Sequence, residues 1–158
     1  MSASYLDQLF MKLADETRQE EIEQIQTEIW DLWMQSGEEE IDQLVEEGIS
    51  NMNEQEFTQA IDIFSKVVEL EPDFAEGWNK RATAYYLRGD FKTSLKDIVT
   101  TLKLEPRHFG ALSGRASIYL AIGDIKRALR SLEQVLSLMP YEEDLQDQVE
   151  ALRKKLEE

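Results

Sequence analysis

The sequence lacks the residues on which most site chemistry depends, since it has no cysteine and a single histidine among 158 residues. Without cysteine there is no disulfide framework, no thiolate metal site and no cysteine nucleophile. No glycine-rich phosphate loop, HExxH motif or EF-hand pattern occurs in it either. We therefore predict a protein that is not an enzyme and that holds no metal and no cofactor.

The one histidine, His108, follows Pro106 in a predicted loop. General acid–base catalysis needs a partner within hydrogen-bond reach, and the sequence shows none for this residue. We interpret His108 as a polar residue of the surface or of a contact between repeats. The acidic runs at 38–40 and 142–144 fall where helix N-termini favour acids, so they indicate solvated helix starts rather than a metal site.

Long hydrophobic runs are also missing. No apolar stretch approaches the roughly 20 residues that a membrane-spanning helix needs. The first residues, MSASYLDQLFMKLADE, lack a basic start followed by an uninterrupted apolar stretch, so no signal peptide is predicted. We expect a cytoplasmic protein, or a periplasmic or organellar one if an export sequence has been removed, and no membrane partner.

Basic residues are few, with 17 against 33 acidic residues and a net charge of −16. Nucleic acid is therefore not an expected ligand, because phosphate binding requires a basic surface. The charge is uneven: residues 1–76 carry 21 acids and 3 bases, whereas residues 77–139 carry 5 acids and 11 bases. Only this basic middle could attract a polyanion, and the acidic flanks oppose it.

Proline occurs three times, and its spacing is the strongest signal in the sequence. Pro72, Pro106 and Pro140 are each 34 residues apart. A fixed period of this length is typical of a repeat protein in which each repeat is one supersecondary unit. The three units are 41–74, 75–108 and 109–142.

Each unit is predicted to contain two helices. In the second unit Trp78, Ala82 and Tyr85 recur at helical spacing. Gly89 then supplies a left-handed residue after the first helix, and Asp90 an N-cap for the second. The same Gly-Asp pair recurs in the third unit.

Small residues recur in both helices of each unit, which indicates close helix crossings. The expected crossing pairs are Gly48/Ala60, Ala82/Ser94 and Ala116/Ala128. Asp73, with Glu76 three residues later, also resembles a capping box at the start of the second unit.

This pattern resembles the tetratricopeptide repeat (TPR) family. The similarity covers about 100 of the 158 residues and is weakest in the first unit, which has Asn51 for the tyrosine and Gln55 for the turn glycine. The stretches WNKRATAYY and LEPRHFGALSG are similar to a small TPR group of bacteria and plant organelles, for which no enzymatic activity is implied. The resemblance implies an all-α fold, a right-handed superhelical solenoid of three helix-turn-helix repeats over residues 38–140.

Two flanking segments complete the predicted domain organisation. Residues 141–158 carry a narrow apolar stripe and are predicted to form a C-terminal capping helix. Residues 1–37 are predicted to form an N-terminal helical hairpin that covers the first repeat. The alternative is that Trp30 and Trp33 are an exposed anchor for a partner, since tryptophan is enriched at binding hot spots.

The resemblance also implies a binding groove, because the first helix of each TPR unit lines a concave surface. Apolar contacts are expected from Val45, Ile49, Met52 and Tyr86, and hydrogen bonds from Asn79, Thr83, Ser113 and Ser117. TPR modules that grip a chaperone's C-terminal carboxylate use Lys, Asn and Arg at places that are Val45, Ile49, Lys80, Gly110 and Gly114 here. That clamp is missing, so binding of acidic tails is not expected.

The leading hypothesis is therefore a non-enzymatic adaptor that binds a peptide or helix of a protein partner in this groove. A second hypothesis is a self-assembling solenoid, in which the acidic and basic regions of two copies associate weakly. A third is a small acidic TPR chaperone for secretion or assembly. An enzyme is the least supported reading.

Overall fold

The computed structural model describes residues 3–158, which form nine α-helices and no β-strand. The helices are α1 Tyr5–Asp15, α2 Gln19–Met34, α3 Glu39–Asn53, α4 Phe57–Leu70, α5 Ala75–Arg88, α6 Phe91–Leu104, α7 Phe109–Ala121, α8 Ile125–Leu138 and α9 Glu143–Glu157. The prediction of an all-α repeat fold is confirmed. The pairs α3–α4, α5–α6 and α7–α8 correspond to the three units set by the proline spacing, with α3 beginning two residues before the first unit.

The chain divides into two compact units. One comprises the described residues up to Leu32 together with Arg115–Glu158, and the other is Trp33–Gly114. The division falls inside α2 and inside α7, so neither unit corresponds to a whole number of repeats.

In the unit Trp33–Gly114, successive helices from α3 to α6 pack side by side. The ring of Phe64 is fully buried beside Gly48, where an added Cβ atom would lie 2.4 Å from the ring carbon Cε1. Gly48 therefore makes room for this ring, and not only for the small residue expected opposite it. In the second repeat, Ser94 donates a 2.7 Å hydrogen bond to the carbonyl oxygen of Ala82, so that expected pair is in direct contact.

An ion pair with a buried carboxylate joins three helices of the same unit. The Arg81 guanidinium on α5 donates to both carboxylate oxygens of Asp97 on α6, at 2.8 and 2.9 Å, and to the Ser65 hydroxyl on α4 at 3.3 Å. The hydrogen bond to Asp97 raises the pKa of Arg81 above its ordinary value. The guanidinium also lies over the rings of Trp78 and Tyr85, 5.1 and 5.8 Å from their centres.

The predicted N-caps are only half right. Asp124 caps α8, because its side chain accepts a hydrogen bond from the backbone N–H of Arg127 at 3.0 Å. Asp90 stands at the N-cap of α6 without such a bond, and its carboxylate pairs with Arg88 at 2.6 Å instead.

The turns between paired helices repeat one backbone conformation. Gly89 and Gly123 have φ angles of 92° and 82°, in the left-handed region where glycine carries no steric penalty, as predicted. The first repeat uses Gln55 at the same place, with φ of 63°. A side chain in this region costs about 1–2 kcal/mol.

Gln55→Gly is therefore expected to stabilise the protein by about 1 kcal/mol, because it removes the clash between Cβ and the backbone. The gain corresponds to a rise of about 2–4 °C in melting temperature for a chain of this size. Thermal unfolding followed by circular dichroism tests this. Gln59→Gly, at an exposed position inside α4, is the control and is expected to lower stability by about 1 kcal/mol.

In the other unit, the N-terminal hairpin packs on the C-terminal helices. Helix α1 contacts α8, and α8 packs against α9. The Gln19 side chain donates to the carbonyl oxygen of Tyr141 at 2.8 Å and accepts from the backbone N–H of Glu143 at 3.1 Å. The sequence led us to expect that the hairpin covers the first repeat, and Met34 at the end of α2 packs there against Ile41, Val45 and Val67. The two helices of the hairpin were predicted correctly.

The predicted C-terminal capping helix is α9. Leu145 and Val149 of its apolar stripe are buried, whereas Leu156 near its end is exposed. Glu142 is the N-cap, and its side chain accepts from the backbone N–H of Leu145 at 2.6 Å. The buried part of the stripe is thus limited to the first half of the helix.

Candidate functional site

The groove residues expected from the repeat pattern differ widely in exposure. Val45 and Asn79 are buried, Thr83 is exposed, and the others are half-buried: Ile49, Met52, Tyr86, Ser113 and Ser117. Seven of the eight lie in the unit Trp33–Gly114, and Ser117 lies in the other unit. We describe the site within Trp33–Gly114.

The α3 part of the expected groove is largely core. Val45 is 1% exposed and packs in a cluster with Ile41 and Val67. Ile49 and Met52 pack at the edge of the neighbouring cluster around Phe64. Val45 is thus buried in this structure, and its contact with a ligand stays a prediction.

Asn79 belongs to a buried polar network rather than to a surface. It is 5% exposed, and its Nδ2 donates to Oε1 of Glu76 at 2.9 Å. The other carboxylate oxygen of Glu76 lies 2.8 Å from Nε2 of His108, and Lys80 Nζ lies 3.5 Å from Oε1. Glu76 and His108 are both fully buried. Buried polar groups of this kind are costly unless every one is hydrogen-bonded, and here the carboxylate binds three neighbours.

The hydrogen bonds of His108 fix its tautomer. Its Nδ1 accepts from the backbone N–H of Ala111 at 3.0 Å, which places the ring proton on Nε2, where it is donated to Glu76. The indole ring of Trp33 stacks on the imidazole, with 4.3 Å between ring centres and 13° between planes. The interpretation of His108 as a residue without a visible partner was wrong, whereas its position between two repeats was correct.

The predicted capping box at the start of α5 was also wrong. The helix begins at Ala75 with Phe74 as its N-cap, and no side chain caps it. Glu76 is instead committed to His108 and Asn79. The alignment of the repeats indicated that His108 is buried. It occupies the place that Phe74 has one repeat earlier, and Phe74 packs against the cluster of Ile41, Val45 and Val67.

The accessible part of the site is the C-terminal half of α5. Thr83 is exposed, and its hydroxyl donates to the carbonyl oxygen of Asn79 one turn earlier at 3.0 Å. The ring of Tyr86 packs against that of Phe91, with 5.6 Å between centres. Leu87, at another groove place of the second repeat, is 46% exposed.

The other unit contains an open cavity of about 580 Å³ between α1 and α2. At the turn between these helices, Glu16 accepts hydrogen bonds from the side chain and the backbone N–H of Arg18. These bonds lower the pKa of Glu16 to about 2, so its carboxylate is charged at neutral pH. The pair stabilises the turn between α1 and α2.

Residues 3–158 meet the requirements neither of a metal site nor of a membrane-spanning helix. No group of three or more histidine, aspartate or glutamate side chains there is placed to hold a metal ion. Across the same residues no helix has the length and apolar character needed to cross a membrane.

Comparison with known proteins identifies the repeats. Residues 110–141 match the family model described as tetratricopeptide repeat. A TPR repeat-containing protein of Rhizobium etli is 37% identical over 93 residues, which are 59% of this chain and 46% of that protein. This chain thus spans about half the length of that relative.

Solved structures of TPR domains have the same fold at low identity. The first TPR domain of Spaghetti (RPAP3), bound to the HSP90 peptide SRMEEVD, has a TM-score of 0.67 and 23% identity over 73% of this chain and 91% of its own. The Sgt2 TPR domain of Aspergillus fumigatus has a TM-score of 0.68 and 22% identity, covering 76% and 81%. The type III secretion translocator chaperone SycD of Yersinia enterocolitica has a TM-score of 0.68 and 13% identity, covering 75% and 86%. With the 34-residue period and the helix pairs, these similarities show that residues 110–141 are a tetratricopeptide repeat and that the chain has the TPR fold.

Proposed function

We propose that this protein is a non-enzymatic adaptor that binds a peptide or helix of a partner protein on the first helices of its repeats. The observation that carries the proposal is the exposed position of Thr83 in the middle of α5, beside the exposed Leu87 and the half-buried Tyr86. An exposed face that combines an apolar, an aromatic and a hydroxyl side chain suits a peptide, because it offers both apolar contact and hydrogen bonding.

The burial pattern divides the expected groove residues by role. Val45 and Asn79 support the surface from beneath, since their side chains are buried. Thr83 and Tyr86 form its centre in this proposal. The remaining expected residues of the unit Trp33–Gly114 are proposed as its margins: Ile49, Met52 and Ser113.

The partner is not proposed to be an acidic tail of the kind that the Spaghetti domain binds. Two of the places that carry the clamp in such TPR modules are Gly110 and Gly114 here, and a third is the buried Val45. The first repeat, residues 41–74, also contains nine acids and one base, so it repels a carboxylate-rich peptide.

Thr83→Arg tests the proposal. The substitution is expected to change stability by no more than about 0.5 kcal/mol, because Thr83 is exposed and makes one local hydrogen bond. It is expected to remove partner binding, because the long charged side chain occupies the peptide path. The parent and the variant are compared by affinity capture from native extract with mass spectrometry, and by thermal melts.

Thr93→Arg is the matched control. It makes the same chemical change at an exposed position of α6, the second helix of the same repeat. Partners that the parent and Thr93→Arg capture and that Thr83→Arg loses support the proposal. If a well-folded Thr83→Arg variant retains every specific partner, the groove hypothesis is wrong and self-assembly through the charged surfaces becomes the better explanation.

A further inference from the structure

The end of α2 lies on the buried network of the unit Trp33–Gly114. The Trp33 indole is stacked on the His108 imidazole and lies 4.9 Å from the ring centre of Phe109. The next residue, Met34, packs against the cluster of Ile41, Val45 and Val67. Two consecutive side chains of α2 therefore cover the first helices of two repeats.

Met34 covers one position that the TPR resemblance assigns to a ligand, and Trp33 packs on the network that holds a second one. Val45 and Asn79 are among the expected groove residues, and both are buried. Met34 packs on the cluster that contains Val45. Trp33 packs on His108, which binds the same carboxylate as Asn79. The end of α2 thus lies at, or next to, positions that we expect to contact a partner peptide.

The His108 ring is a rigid platform for such a contact. Both of its nitrogens are engaged in the ring plane, one with the backbone N–H of Ala111 and the other with Glu76. Glu76 is held in turn by Asn79 and Lys80. The imidazole therefore has a fixed orientation, and a further neighbouring group contacts it through the face of the ring. Parallel stacking at 4.3 Å suits a flat aromatic ring.

We propose that the face of His108 is a recognition pocket for an aromatic side chain, which Trp33 fills in this structure and which an aromatic residue of the partner peptide fills on binding. The inference rests on the proposed function, and it adds the chemistry of the partner's anchor. Trp33 then acts as an internal competitor. Only molecules in which Trp33 has left the pocket can bind a peptide. The apparent affinity of the parent protein is therefore the intrinsic affinity multiplied by the fraction of such molecules.

The experiment uses the full chain and a fluorescein-labelled synthetic peptide with the sequence of residues 28–38, EIWDLWMQSGE. Fluorescence anisotropy gives its dissociation constant for the parent and for Trp33→Ala. We expect Trp33→Ala to bind the peptide at least tenfold more tightly than the parent, because its pocket is vacant. The same peptide with alanine in place of the second tryptophan is expected to lose that gain.

Trp30→Ala is the matched control, because it removes the same side chain from the same helix and leaves Trp33 in place. We expect it to bind the peptide as the parent does. Equal affinity for all three proteins, or binding to none of them, overturns the proposal. A partner captured equally by the parent and Trp33→Ala, but lost in Thr83→Arg, also overturns it and leaves the proposed function intact.

Circular dichroism melts establish that the variants are folded. If Trp33→Ala is unfolded, Trp33→Leu takes its place, since leucine keeps apolar volume but cannot stack. Hydrogen exchange of the parent in excess peptide gives a readout that needs no variant. Loss of protection over residues 33–36 on peptide addition supports displacement of Trp33, and unchanged protection at saturating peptide overturns it.

Discussion

Arg81→Ala is expected to lower the free energy of unfolding by about 3–5 kcal/mol, one of the two largest effects of a single substitution that we predict. The Asp97 side chain is buried, with the residue 3% exposed, and its two oxygens accept from Arg81. Removing the guanidinium leaves a carboxylate without its cation in the protein interior. The Ser65 hydroxyl and the rings of Trp78 and Tyr85 lose their contact with it as well. Urea unfolding at pH 7 measures the effect.

Arg88→Ala is the control for the loss of an arginine from the same helix. Its ion pair with Asp90 is exposed on both sides, so the expected cost is at most about 1 kcal/mol. The double variant Arg81→Leu with Asp97→Leu removes both charges and is expected to recover much of the lost stability. Equal stability of Arg81→Ala and Arg88→Ala would contradict the role of the buried pair.

Glu76→Ala is expected to destabilise the protein by a similar amount, about 3–5 kcal/mol. Its carboxylate is the acceptor for His108 Nε2 and Asn79 Nδ2 and the partner of Lys80. The first two groups are buried, so they lose their hydrogen bonds without gaining water. The same urea experiment measures the loss.

Glu76→Gln separates the contribution of the side-chain shape to stability from that of its negative charge. It keeps one acceptor oxygen and the volume of the side chain, so the cost is expected to lie between that of Glu76→Ala and the parent. Glu47→Ala, an exposed site on α3, is the surface control and is expected to change stability by no more than about 0.5 kcal/mol. If Glu76→Ala is as stable as Glu47→Ala, the network does not stabilise the fold.

The sequence predicted the repeat architecture because the signals for it are local. The prolines at a fixed period, the apolar spacing from Trp78 to Tyr85 and the glycines at 89 and 123 each act within one or two turns of helix. Such features report helix formation and termination directly. They are sufficient to predict the helix pairs, the all-α fold and the resemblance to TPR repeats.

The sequence also indicated part of the candidate site. It placed Thr83 and Tyr86 on the first helix of the second repeat, and the structure leaves Thr83 exposed there. It could not separate them from Val45 and Asn79, because helical spacing gives the face of a helix but not what covers that face. Exposure depends on residues far away in the sequence, here the end of α2.

What the tertiary structure alone decided are the contacts between residues distant in sequence. The bond between Glu76 and His108 spans 32 residues, and the hydrogen bond from Gln19 to Tyr141 spans 122. The first turned an expected capping residue and a loop histidine into a buried pair. The second joined the start of α2 to the segment before α9. Local sequence propensity does not predict such pairs, because a polar side chain can lie at a helix start, in a loop or in a core. It is tolerated in a core only where a partner satisfies its hydrogen bonds, and that partner can be distant in the sequence.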